Sequence, residues 1–107
     1  MNIPKRYKIG GQWFDVKMFD LVDKGENHGT FQYGKPLISI ATKCKDYDDE
    51  TQLLDMSESQ IKNTFYHELF HSFQYMGGYD LDERVASTFA AFMCEFDETK
   101  EYETTTE

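Results

Sequence analysis

Apolar and polar positions alternate through the first third of the chain. In QWFDVKMF, Gln12–Phe19, the residues Phe14, Val16 and Met18 are separated by Asp15 and Lys17, the period of a strand with one buried face. RYKI precedes it across Gly10 and Gly11, and a glycine pair tolerates the positive φ angles of a two-residue hairpin turn. Residues 21–29 are polar and turn-rich and read as a loop. TFQY and PLISIA follow, joined by Gly34, Lys35 and Pro36, which predicts a second hairpin. LISIA is short and led by Pro36, so it is expected at a sheet edge. The charged run TKCKDYDDETQLLDM is expected to be a loop with a short helical turn.

Beyond Met56 the period lengthens to that of a helix. Ser57 and Gln60 have capping-box spacing, no breaker intervenes before Met76, and Gly77 and Gly78 supply a left-handed stop. At about 100° per residue, Ile61, Phe65, Leu69, Phe73 and Met76 gather on one side of this helix. His67 and His71 fall opposite, with Gln60, Thr64 and Gln74, and are expected off the core. A second helix is expected within YDLDERVASTFAAFMCEF, capped by Asp80 or Asp82 and reaching about Phe96. Val85, Ala86, Phe89, Phe92, Met93 and Phe96 form its apolar arc. The elements sum to one small α+β domain, residues 1–96, with an antiparallel-rich sheet packed against two helices. Residues 97–107 are acidic, have little to bury and are expected to be a disordered tail.

Charge narrows the partners. Asp and Glu number 20 against 11 Lys and Arg, a formal net charge of −9 that repels phosphate backbones and argues against nucleic-acid binding. No run has the apolar length of a signal peptide or a membrane span, so a cytoplasmic protein is expected, with Cys44 and Cys94 as thiols.

The chemistry concentrates in FYHELFHSF. Residues four apart on a helix sit one above the other, so the imidazoles of His67 and His71 can turn toward a single point. Glu68 lies about one residue-step around from His67, where it can act on a ligand of the same ion without binding it. Two metal ligands and a general base at this spacing are the H-E-x-x-H arrangement of zinc peptidases. A catalytic zinc needs a third protein ligand and a fourth position left to water. Glu83, at the border of the second helix's apolar arc, is the preferred candidate; Asp80, Asp82 and the neighbourhood of Ser87 are the alternatives. His28, flanked by glycine in a polar loop, reads as a surface residue. Tyr75, Tyr79 and His28 are eligible to stabilise an oxyanion.

HELFH followed, after a glycine-containing turn, by DERVASTFAAFM resembles the ImmA/IrrE-type zinc metallopeptidases and the compact metallopeptidases of phages and mobile elements. KIGGQWFDVKMFD and GTFQYGKPLISIA upstream are similar to the same small proteins. The resemblance implies a minimal zincin-like fold that hydrolyses a protein or peptide substrate, in regulatory cleavage of a phage or mobile-element protein. In that family the third ligand is a glutamate of the second helix, and Glu83 is the only glutamate in its first turns. The resemblance also implies a substrate extended along an edge strand, with LISIA as the expected edge. Two other classes compete: a closed structural zinc site made by His67, His71, Cys44 and Cys94, and an inactive binding module that keeps the fold. Oligomeric state has no signature in the sequence.

Overall fold

The computed structural model describes residues 3–32 and 34–103. Strands β1 (Arg6–Ile9) and β2 (Gln12–Phe19) form the expected hairpin, with Gly10 and Gly11 at φ 60° and 84° in its turn. A single 3-10 turn, Asp23–Gly25, interrupts the following loop. Strands β3 (Gly29–Phe31) and β4 (Leu37–Ala41) pair antiparallel as the second hairpin; Tyr33 of the expected TFQY strand lies outside the described residues.

The sheet order is β1-β2-β4-β3, which corrects the expectation for LISIA. That segment, β4, is interior, parallel to β2 and antiparallel to β3, and the edge beside it is β3. Four successive residues, Ile38 to Ala41, are buried, as a strand covered on both faces requires. Pro36 stands just ahead of β4, where its missing N–H interrupts no ladder bond while its carbonyl accepts from the Asp15 amide at 2.8 Å. The sheet is therefore mixed rather than uniformly antiparallel.

The charged run after β4 is also corrected. It folds as a second, two-stranded antiparallel sheet, β5 (Lys43–Lys45) and β6 (Leu53–Asp55), not as a loop with a helical turn. Lys43 Nζ reaches Asp55 Oδ1 at 2.6 Å, and Asp49 closes the connecting turn by accepting from the amide and hydroxyl of Thr51.

Helix α1 (Glu58–Gly77) begins with the full capping box: the Ser57 hydroxyl accepts from the Gln60 amide, and the Gln60 side chain accepts from Ser57 N–H. It ends at Gly78, φ 77°, in the left-handed conformation. Helix α2 (Glu83–Thr99) starts at Asp82, whose carboxylate accepts from the amides of Arg84 and Val85. It runs past the expected end at Phe96, and Asp97 is held by the Tyr66 hydroxyl on α1. Residues 104–107 of the expected tail lie outside the described residues.

Val16, Val22, Ile38, Ile40, Ala41, Met56, Ile61 and Phe65 form the core between the sheet and α1. Tyr7 extends it, stacked on Phe14 at 5.4 Å and edge-on to Phe65 at 6.1 Å, its hydroxyl donating to Ser72. Helix α2 packs on α1 through Ala86, Ala90 and Cys94, small residues that let the two axes approach.

The face of α1 turned to the sheet differs from the expected one. Thr64, Glu68, His71, Ser72 and Gln74 are buried, while Phe73 is 47% exposed and rests on Phe70 and Tyr79 instead. The apolar stripe alone does not aim the helix, because β3 offers it a glycine. A Cβ on Gly29 would stand 2.5 Å from Thr64 Cγ2 and 3.3 Å from Glu68 Cγ, so the absent side chain is what lets the polar flank of α1 settle against the edge strand. No helix among the described residues is long and apolar enough to cross a membrane.

Candidate metal centre

His67, Glu68 and His71 each turn a ligand atom into one cluster, and those atoms all lie within 4.8 Å of one another; this group could hold a metal ion. The two imidazoles stand edge to face, with ring centres 4.7 Å apart and Nε2 atoms 3.1 Å apart. Glu83, the first residue of α2, bridges them: Oε2 is 2.7 Å from His67 Nε2 and Oε1 is 3.0 Å from His71 Nε2. Two carboxylates thus attend the histidine pair. Glu83 contacts both Nε2 atoms directly from an exposed position, whereas Glu68 approaches from the buried side.

The hydrogen bonds behind the imidazoles determine what they present. Gln74 Oε1 lies 3.0 Å from His71 Nδ1 and also accepts, at 3.5 Å, from the backbone N–H of Asp82. An oxygen at that position puts a proton on Nδ1, and in the neutral ring that leaves the Nε2 lone pair free to face Glu83 and a cation. A lone pair and a carboxylate oxygen 3.0 Å apart repel unless a cation lies between or beside them. On the other ring, Ser87 Oγ stands 3.3 Å from His67 Nδ1. Both imidazoles therefore have a partner at Nδ1 and meet at Nε2, the orientation that metal-bound histidines need.

Glu68 has the most perturbed carboxyl of the site. It is 6% exposed, wedged against Gly29, and burial followed by the negative charge of Glu83 pushes its pKa up to about 7. A carboxylate with that pKa can both accept and return a proton near neutral pH. It opens onto a cleft of about 630 Å³ between α1 and the edge strand, walled by residues 26–31 on one side and by Thr64, His67, Glu68, His71 and Glu83 on the other.

Of the residues singled out in the sequence, the fold brings His67, Glu68, His71 and Glu83 together. Asp82 is committed to capping α2. Cys44 and Cys94 join no metal-binding group among the described residues; Cys44 sits on β5 and Cys94 on α2 is buried against α1. Of the three oxyanion candidates, His28 lines the cleft, whereas Tyr75 packs on Phe31 and Tyr79 on Phe73. Two contributors escaped the sequence reading. Gln74 appeared there only as a polar position beside the histidines, and the role of Gly29 needed the register of β3 against α1. Gln74 was findable as a hydrogen-bonding side chain three residues past His71, on the same flank of the helix.

No family model, curated protein or solved structure matches this chain.

Proposed function

We propose that the protein is a zinc-dependent peptidase, with His67, His71 and Glu83 as metal ligands and Glu68 as general base. The observation that carries the reading is the meeting of two imidazole Nε2 atoms and a carboxylate at one point, 2.7 to 3.1 Å apart, beside a buried glutamate. Ligands bound at zinc distances in a tetrahedral site stand about 3.3 Å from one another. The triangle here would open by a few tenths of an ångström to take the ion, a shift within the reach of side-chain rotation. The two nitrogens and one oxygen are a donor set that suits zinc and leaves a position for water.

Zinc, when bound, supplies a Lewis acid that polarises the scissile carbonyl and acidifies the attacking water. Glu68 takes the proton of that water and passes it to the leaving amine, and no residue of the chain forms a covalent bond with the substrate. Gln74 and Ser87 hold the two imidazoles, and His28, which lines the opposite wall, would donate to the developing oxyanion. The substrate is an extended protein or peptide segment lying along β3, the edge strand that borders the cleft. The resemblance of HELFH and DERVASTFAAFM to the ImmA/IrrE-type enzymes supports the same reading and points to a phage or mobile-element protein as the substrate.

Elemental analysis paired with a peptide-library cleavage assay tests it. The expected result is about one zinc per chain in the wild type, kept in Glu68→Gln and in the Cys44→Ser/Cys94→Ser variant and weakened in Glu83→Ala, with cleavage absent in Glu68→Gln. Zinc lost only with the cysteines would overturn the open site. Zinc bound normally without cleavage of any library member would leave an inactive binding module in its place.

A further inference from the structure

Helix α2 carries a second seam that its packing on α1 engages only through Phe89. Ala86, Ala90 and Cys94 face α1, whereas Val85, Phe89, Phe92 and Phe96 recur at spacings of four, three and four, the a/d rhythm of a helix that pairs with another helix. Val85 is 46%, Phe92 67% and Phe96 56% exposed, in a chain whose net charge is −9. Phe89 leans on Phe70 of α1 at 4.7 Å and leaves a largely apolar groove of about 510 Å³ beside it, lined by Phe70, Val85, Thr88, Phe89 and Phe92 with Asp82 and Arg84 at one end. A ridge of aromatic rings next to an apolar groove is a surface with a partner.

The charges at the border of this seam identify the partner as a second copy. At 100° per residue, Arg84 and Glu95 project from the same flank of α2, on opposite ends of the seam. An antiparallel pairing related by a two-fold axis keeps that flank on the same side in both copies. It brings Arg84 of each chain to Glu95 of the other, and sets Phe89 against Phe92 and Val85 against Phe96. A parallel two-fold pairing would put the two flanks on opposite sides of the seam, where Arg84 and Glu95 could not meet. Thr88 beside the seam is small enough for close approach. The antiparallel arrangement also opposes the two helix dipoles favourably. Ser87 and Glu83, which touch His67, project from the other side of α2, so the pairing leaves the metal cleft open.

We propose that two copies of this chain associate through α2, antiparallel, as an isologous dimer centred between Phe89 and Phe92. Every contact is made twice, which lets a short seam add up to a stable interface.

Sedimentation equilibrium on the full chain, at low micromolar to high micromolar concentration with chelator present, tests this apart from any metal or activity. The wild type is expected to dimerise, and Phe92→Glu to weaken dimerisation by more than about thirtyfold, as loss of a central aromatic anchor does. Arg84→Glu and Glu95→Arg singly are each expected to weaken it, and the double charge swap to restore it. Circular dichroism melts of the variants separate loss of pairing from loss of folding, since all three positions are exposed. A wild type monomeric across the range would overturn the proposal and leave the seam to a different protein. A dimer that ignores Phe92→Glu, or a double swap that fails to recover what the single swaps lose, would overturn it equally.

Discussion

Replacing Glu68 by Gln should make the metal-free protein more stable at alkaline pH, although it removes the proposed general base. In the unfolded chain this carboxyl titrates near 4.5, and in the fold burial and Glu83 push it up to about 7. The folded state therefore binds the proton more tightly than the unfolded state between those values. Stability is unaffected by this group below the unfolded pKa, falls as pH rises through the window, and is fully lowered once pH exceeds the folded pKa. A shift of this size corresponds to about 3 kcal/mol, since each pKa unit is about 1.4 kcal/mol. Gln keeps the shape and has no proton to lose. Urea denaturation with chelator, at half-unit steps from pH 4 to 8.5, should show the two proteins similar near pH 4 and Glu68→Gln ahead by about 3 kcal/mol at pH 8. Added zinc should narrow the gap, because a cation beside the carboxylate offsets its burial. A gap of the same size at every pH would mean that Gln merely packs better. A variant no more stable than wild type at pH 8 would refute the reasoning that burial of this charge is an uncompensated burden.

Gly29→Ala should destabilise the fold by about 1–3 kcal/mol, because its Cβ would stand 2.5 Å from Thr64 Cγ2, and Thr64→Ser in the same chain should recover part of the loss in chemical denaturation. Gln74→Ala frees the His71 tautomer and is expected to weaken zinc affinity about 10- to 100-fold by competition titration, while far-ultraviolet circular dichroism stays that of the wild type. Tyr66→Phe removes the hydroxyl that, with Lys62 and Lys100, holds Asp97 below the usual carboxylate range. The stability it loses should be present above about pH 4 and vanish as pH falls through the folded pKa of Asp97, a dependence that acid titration by fluorescence can follow.

The two helices and the two hairpins of the larger sheet were legible because each is encoded locally. Ser57 and Gln60 cap α1 through side chains three residues apart, Gly78 ends it with a φ that favours glycine, and Gly10 and Gly11 do the same for the first turn. The place of β4 was not legible, since a leading proline marks the start of a strand as well as an edge, and only the parallel pairing with β2, formed across some 20 residues, puts it inside. The β5–β6 hairpin escaped for a related reason. Its strands are three residues each, with ends joined by Lys43 and Asp55 rather than by apolar alternation.

The site divides along the same line. The spacing of His67, Glu68 and His71 is a property of any helix, so the cluster was visible before the fold was known. The depth of Glu68 and His71 was not, because the apolar stripe of α1 gave the buried Ile61 and Phe65 but not the polar flank beside them, and the decisive element, Gly29, lies about 40 residues upstream.

Glu83 joins the two histidines because the turn between the helices is short and tied at both ends. Gly78 stops α1 four residues before Asp82 caps α2, and the Asp82 amide that initiates the second helix also donates to Gln74, which in turn holds His71. One carbonyl oxygen, Gln74 Oε1, therefore registers the start of α2 against the imidazole that its first residue must meet. The same turn sets Ser87, one helical turn past Glu83, against the other imidazole. In the proposed zinc site the first ligand pair would be fixed by helix geometry and the third by a cap. The capping residues at the head of α2 thus belong to the chemistry of the cleft as much as to the stability of the helix.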